Sequence, residues 1–157
     1  MYRFWVFVHL VGVVGFLATH GVSMWALFAV RAVDGDRDRI LEWCETSKRT
    51  IMPMYVSFAL LLLGGVAAGI DGALFAEWWL LGSLALLLGL TALMSVVASP
   101  HMKRLREGCT RWADGTYTLS DEELRGALDG PATMITAASG SITLVVIVFL
   151  MVFKPGV

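Results

Sequence analysis

"FWVFVHLVGVVGFLATHGVSMWALFAV", residues 4–30, carries no Asp, Glu, Lys or Arg. About 20 apolar residues suffice to cross a hydrocarbon core of roughly 30 Å as a helix. The run is also longer than the 7–15 residues of a signal-peptide core, and only Arg3 precedes it, so it reads as a retained helix. Three further runs share its character: Ile51 to Ile70, Trp78 to Ala98, and Ala132 to Phe153. None of them contains an acid or a base. With 57% hydrophobic and 16% charged residues and a mean hydropathy of +0.74, the 157-residue chain is too apolar for a soluble domain, which carries roughly 25% charge. The expectation is a single all-α domain over residues 1–157, an integral membrane up-down four-helix bundle.

The charges fall between the runs. Arg31, Arg37, Arg39, Lys48 and Arg49 lie in the first connection, and Lys103, Arg104, Arg106, Arg111 and Arg125 in the third. Only Arg3 and Lys154 lie on the other side. Basic connections face the cytoplasm. The chain is therefore expected in the plasma membrane as a multi-pass protein, both termini outside and both long loops cytoplasmic. Each loop is expected to hold a short amphipathic helix. In Asp38 to Lys48, Ile40, Leu41 and Cys44 gather on one side. In "SDEELRGALDGP", residues 120–131, Ser120 and Glu123 form a capping box, with Gly130 and Pro131 as the stop. Pro100 is expected to end the third run.

Helices in lipid associate through small residues and interhelical hydrogen bonds. Each run has such a stripe: Gly12, Gly15, Thr19 in the first; Gly64, Gly65, Ala68, Gly69 in the second; Gly82, Ala85, Gly89, Ala92 in the third; Thr133, Thr136, Gly140, Thr143 in the fourth. The partners expected are the lipid bilayer and a protein partner or second copy docked through these faces. A net charge of −1 gives no argument for nucleic acid.

His9 and His20 are eleven residues apart, an advance of about 16.5 Å and just over three turns, so they share a helix face. Two imidazoles at two depths are what a membrane b-type cytochrome uses. The only remaining histidine is His101, so one chain cannot supply two bis-histidine haems; His9, His20 and His101 are the candidate ligands for one haem b, with a methionine as an alternative axial ligand. The expected role for each histidine is a cross-helix hydrogen bond to Thr, Ser or a backbone carbonyl, with haem ligation as the alternative. His20, Met24 and Met54 form a candidate soft-metal set suited to Cu(I). No carboxylate lies in the runs, so no nucleophile–base–acid set is visible there and catalytic residues are not assigned.

Several pieces together resemble a known group: "FVHLVGVVGF" (7–16), "VRAVDGDRD" (30–38), "WWLLGSLALLLGL" (78–90), "VVASPHMKRLREG" (96–108) and "MVFKP" (151–155). The chain resembles a bacterial family of predicted four-span integral membrane proteins of unknown function. More distantly it is similar to the membrane domains of copper-resistance D-type proteins and to the bacterial four-helix protoporphyrinogen oxidase. The resemblance implies a haem or metal ligand at His9. It also implies a membrane-embedded lysine in the oxidase-like relatives, and no lysine lies in the four runs here. The expected function is that of a non-enzymatic scaffold or accessory subunit. A haem b electron-transfer protein is the alternative, and Cu(I) handling the third.

Overall fold

A computed structural model describes residues 1–33 and 35–155, without the side chains of residues 131–133 and 136. The described residues form helices: α1 (Tyr2–Ala32), α2 (Arg37–Arg49), α3 (Ile51–Asp71), α4 (Trp78–Leu93), α5 (Ser99–Cys109), α6 (Asp121–Asp129) and α7 (Pro131–Phe153). A short 3₁₀ turn at Leu74–Ala76 precedes α4. Three continuous helical stretches are long and apolar enough to cross a membrane: Tyr2–Ala32, Arg37–Asp71 and Trp78–Cys109. Ala137–Phe153, within α7, is a shorter apolar helix.

The first tertiary unit is a hairpin of α1 and α3. Gly12 lies against the backbone of Leu61, Gly64 against the backbone of His9, and Gly15 against Ser57. Farther along, Ser23 hydrogen-bonds Thr50 at 2.7 Å. The paired numbers rise on one helix as they fall on the other, so the two run antiparallel. Glycines on both partners let the backbones approach, and dispersion contacts then act along the whole seam. A Cβ on Gly64 would lie 2.5 Å from the His9 nitrogen, so no larger residue fits. At the open end of the hairpin the Met1 ammonium pairs with Asp71 at 3.5 Å.

The second unit pairs α4 with α7, again antiparallel: Gly82 meets Leu150, and Met94 meets Gly140. Lys154, which ends α7, places its ammonium 5.5 Å from the ring of Trp79. Between the two hairpins the packing is looser, and the space between them forms two cavities.

The third run does not stop where Pro100 predicts. Helix continues from Trp78 to Cys109, through a π-type turn at Met94–Ala98. The wide turn resets the hydrogen-bond ladder ahead of the proline. Pro100 then falls in the first turn of the next α segment, where an N–H has no intrahelical acceptor to lose. A local rule about proline is overridden by one extra residue in the preceding turn.

Both long connections fold together at one end of the molecule. Ile40 and Cys44 of α2, Leu105 and Cys109 of α5, and Leu124 and Leu128 of α6 share one apolar core with Val30 of α1. The two expected amphipathic helices are present as α2 and α6. Asp36 caps α2 by accepting from the N–H groups of Asp38 and Arg39. The capping box is complete: the Glu123 N–H donates to Ser120 Oγ at 3.2 Å, and the Ser120 N–H donates to Glu123 Oε2 at 2.9 Å. Ser120→Ala is expected to cost about 1 kcal/mol of local helix stability. Faster hydrogen exchange confined to α6 is the readout; unchanged protection there would contradict the capping role.

Arg37 ties this cap together. Its guanidinium donates to the Gly108 carbonyl and the Leu119 carbonyl, each at 2.9 Å, and to Asp121 at 2.6 Å. It also lies 4.3 Å from the centre of the Tyr117 ring. One side chain thus joins α2, the end of α5 and the loop before α6.

The two cysteines are both buried in the cap core. Burial, with Cys109 adjacent, pushes the Cys44 thiol up to about 12, and burial also raises Cys109. Thiolate is the reactive form. Alkylation of the folded protein by iodoacetamide at pH 8 is therefore expected to run at least about a hundredfold slower than in denaturant, and to accelerate steeply with pH. Equal folded and unfolded rates would contradict the buried placement.

Candidate functional site

Each span-one histidine faces its own cavity. His9 sits where α1 crosses α3, and its Nδ1–H donates to the Leu61 carbonyl at 2.8 Å. A carbonyl only accepts, so the proton is on Nδ1 and a neutral ring carries its lone pair on Nε2. The same Nδ1 edge of the ring lies over Gly65, whose added Cβ would be 2.9 Å from Nδ1. The Gly65 position is small because the imidazole occupies that volume. His9 lines a cavity of about 240 Å³ between the hairpins, together with Phe16, Leu87, Leu144 and Met151.

His20 lies farther along the same helix face, at the cap end. It is 8% exposed and stacks on Phe16, with ring centres 5.5 Å apart and planes 12° from parallel. The stack is an i, i+4 pair on one helix face. Its Nε2 is buried and has no hydrogen-bond partner among the described residues. His20, Met24, Met54 and Met94 line the second cavity, of about 370 Å³. That volume is within the range of small-molecule sites.

Two hydroxyls of the wall, Ser23 and Ser47, belong to a local network. Ser47 donates to Ser23 at 3.4 Å, Ser23 donates to Thr50 at 2.7 Å, and Thr50 donates to the Ser47 carbonyl at 2.7 Å. Two thioethers are engaged as well. Ser141 Oγ–H donates to Met24 Sδ at 3.9 Å, and the Met94 methyl packs on Gly140. The wall also offers the His20 nitrogen, with three cations at the rim: Lys48, Lys103 and Arg106. They pair at 3.7–3.8 Å with Glu45 and Glu107.

The structure thus brings His20, Met24 and Met54 together on one cavity and places His9 on the other, while His101, on α5, lines neither. Among the described residues a bis-histidine haem has no shared cavity, because His9, His20 and His101 do not line one together. The His9 cavity offers an axial nitrogen, but among its described lining residues only His9 and Ser83 are polar, and the Ser83 hydroxyl donates to the Trp79 carbonyl. Two haem propionates would find no cation there, so haem b does not fit it. Among the described residues no group of three His, Cys, Asp or Glu is placed to hold a metal ion. The rim of the His20 cavity repels a bare cation such as Cu(I).

Two features escaped the sequence reading. Lys48, Lys103 and Arg106 counted there only toward sidedness; their convergence on one cavity joins α2 to α5 across more than fifty residues. Arg37 counted likewise, although an Arg just inside a capped helix start is a local signal of its own. The described residues define an all-helical protein with three helices long and apolar enough to cross a membrane, and with two cavities between its helical hairpins. Compared with family models, with curated proteins and with solved structures, the chain matches none.

Proposed function

We propose that the chain is an up-down four-span bundle of the plasma membrane, with both termini outside and the cap in the cytoplasm, that serves as a non-catalytic scaffold or accessory subunit assembling through α4. The observation that carries this reading is the unfilled stripe on α4. Ala85, Gly89 and Ala92 are exposed, and among the described residues no atom beyond the helix's own neighbouring backbone comes within 4 Å of a Cβ added at Gly89. Gly64 and Gly65 of α3 are covered by His9 of α1, whereas Gly89 of α4 is left open for another helix. The four-span reading is supported by the ends of the helices. The cap gathers Val30 at the end of α1 with the end of α5 and all of α2 and α6, while Met1–Asp71 and Trp79–Lys154 pair at the opposite end.

Assembly is tested by light scattering in lipid nanodiscs and mild detergent. Wild type is expected to exceed the 17.1 kDa of one chain, and Ala85→Leu with Gly89→Leu to reduce it to that mass. A wild-type monomer at every concentration, with no co-purifying partner chain, defeats the reading. Sidedness is tested in a cysteine-free background with an impermeant thiol reagent on intact cells. Ala76→Cys should label and Gly126→Cys should not; the reverse pattern inverts the topology.

A further inference from the structure

We propose that the His20 cavity is a binding site for an anionic membrane lipid, with its phosphate held by Lys48, Lys103 and Arg106 and its acyl chain lying along Met24, Met54 and Ala137. The cavity is divided by chemistry along its length. Met24, Leu27, Met54, Met94 and Ala137 give it an apolar wall, and its cations, Lys48, Lys103 and Arg106, belong to α2 and α5. No carboxylate is among the described residues of its wall. Glu45 and Glu107 approach the rim cations from outside the cavity, at ion-pair distances too long for tight hydrogen bonds. Three cations against two acids leave positive charge facing inward. Glu45 serves both Lys48 and Arg106, so a phosphate with several acceptor oxygens can join the network without displacing it.

The rim chemistry decides among ligand classes. A soft cation would be attracted by the sulfurs and repelled by the rim, and the Met24 sulfur already accepts from Ser141. A neutral lipid would fill the apolar part and gain nothing from the cations. An anionic amphipath satisfies both halves. Basic pockets between membrane helices at the cytoplasmic interface hold anionic headgroups for this reason. Methionine suits the acyl end, because an unbranched thioether adapts to a flexible chain. His20, whose Nε2 has no partner among the described residues, also lines this cavity, and with its proton on Nε2 it would donate to a lipid ester carbonyl.

The test is native mass spectrometry and fluorescence quenching on the full chain in nanodiscs, with dioleoyl phosphatidylglycerol against dioleoyl phosphatidylcholine. Wild type is expected to retain the anionic lipid with about tenfold preference, given that each interfacial cation favours an anionic headgroup. Lys103→Gln with Arg106→Gln should abolish the preference while leaving phosphatidylcholine binding unchanged. Ala137→Phe should weaken both lipids by filling the acyl end. Because a charge variant can damage the cap, Lys48→Gln alone is carried in parallel and should lower the preference in part, with the melting temperature unchanged. Inorganic phosphate at millimolar concentration should not displace the lipid; displacement would mark a site for free phosphate and overturn the lipid assignment. Equal retention of the two lipids by wild type overturns it too. So does stoichiometric haem, read as a Soret band lost in His20→Ala.

Discussion

Gly64→Leu is expected to unfold the α1–α3 hairpin. The added Cβ alone would stand 2.5 Å from the His9 nitrogen and 2.9 Å from its Cα, so the obstacle is backbone and no rotamer relieves it. The hairpin must open, and separating it breaks the His9–Leu61 hydrogen bond and the dispersion contacts of the whole seam. Overpacking of a core costs about 1–3 kcal/mol where side chains can yield; here nothing yields, and about 3 kcal/mol is a lower figure. For a chain of this size that corresponds to a fall of roughly 10 °C in melting temperature. Gly12→Leu should behave alike, since it meets the Leu61 backbone from the other partner. Gly21→Ala is the control. Nothing lies within 4 Å of its added Cβ, and alanine favours helix by roughly 1 kcal/mol, so stability should hold or rise. Thermal unfolding in detergent reads all three, and equal melting of Gly64→Leu and wild type would refute the tight crossing.

Arg37→Ala is expected to release the cap while leaving the hairpins folded. The side chain is 12% exposed and satisfies two backbone carbonyls that no other described side chain reaches. Hydrogen bonds from a charged donor contribute about 1.5–3 kcal/mol each, so losing both carbonyl contacts should cost about 3 kcal/mol of cap stability. The exposed Asp121 contact adds a pH signature. The Arg37 hydrogen bond first, and then its charge, hold the Asp121 carboxyl below the usual range. A depressed folded value means the contribution is present above the unfolded carboxylate range and is lost as pH falls through the folded one. Limited proteolysis between α5 and α6 should therefore speed up in wild type on acidification, and be fast in Arg37→Ala at every pH. Arg37→Lys should recover part of the protection, because one ammonium cannot span both carbonyls and Asp121 in a planar fork. A wild-type proteolysis rate in Arg37→Ala would show that the apolar core holds the cap unaided.

How far the sequence reaches depends on the range of the interaction that decides each feature. The absence of charge from residues 4–30, the Ser120–Glu123 box and the amphipathic faces of α2 and α6 are settled within a few turns of chain. All of these were legible without a structure. Pro100 was misread because the turn that accommodates it comes before it and carries no residue signature. The small-residue stripes were ambiguous for a different reason. All four runs have one, and helical period tells which residues share a face but not which face meets which helix. Only the tertiary structure distinguishes Gly64, pressed on His9, from Gly89, with open space above it. The histidines follow the same division. Their spacing aligns them on α1, and the rotation of α1 against α3 then spends the Nδ1–H of His9 on a carbonyl and leaves His20 Nε2 at a cavity. The cations of that cavity come together only because α2 and α5 share an apolar core, a long-range contact that a pattern of charges along the chain does not encode.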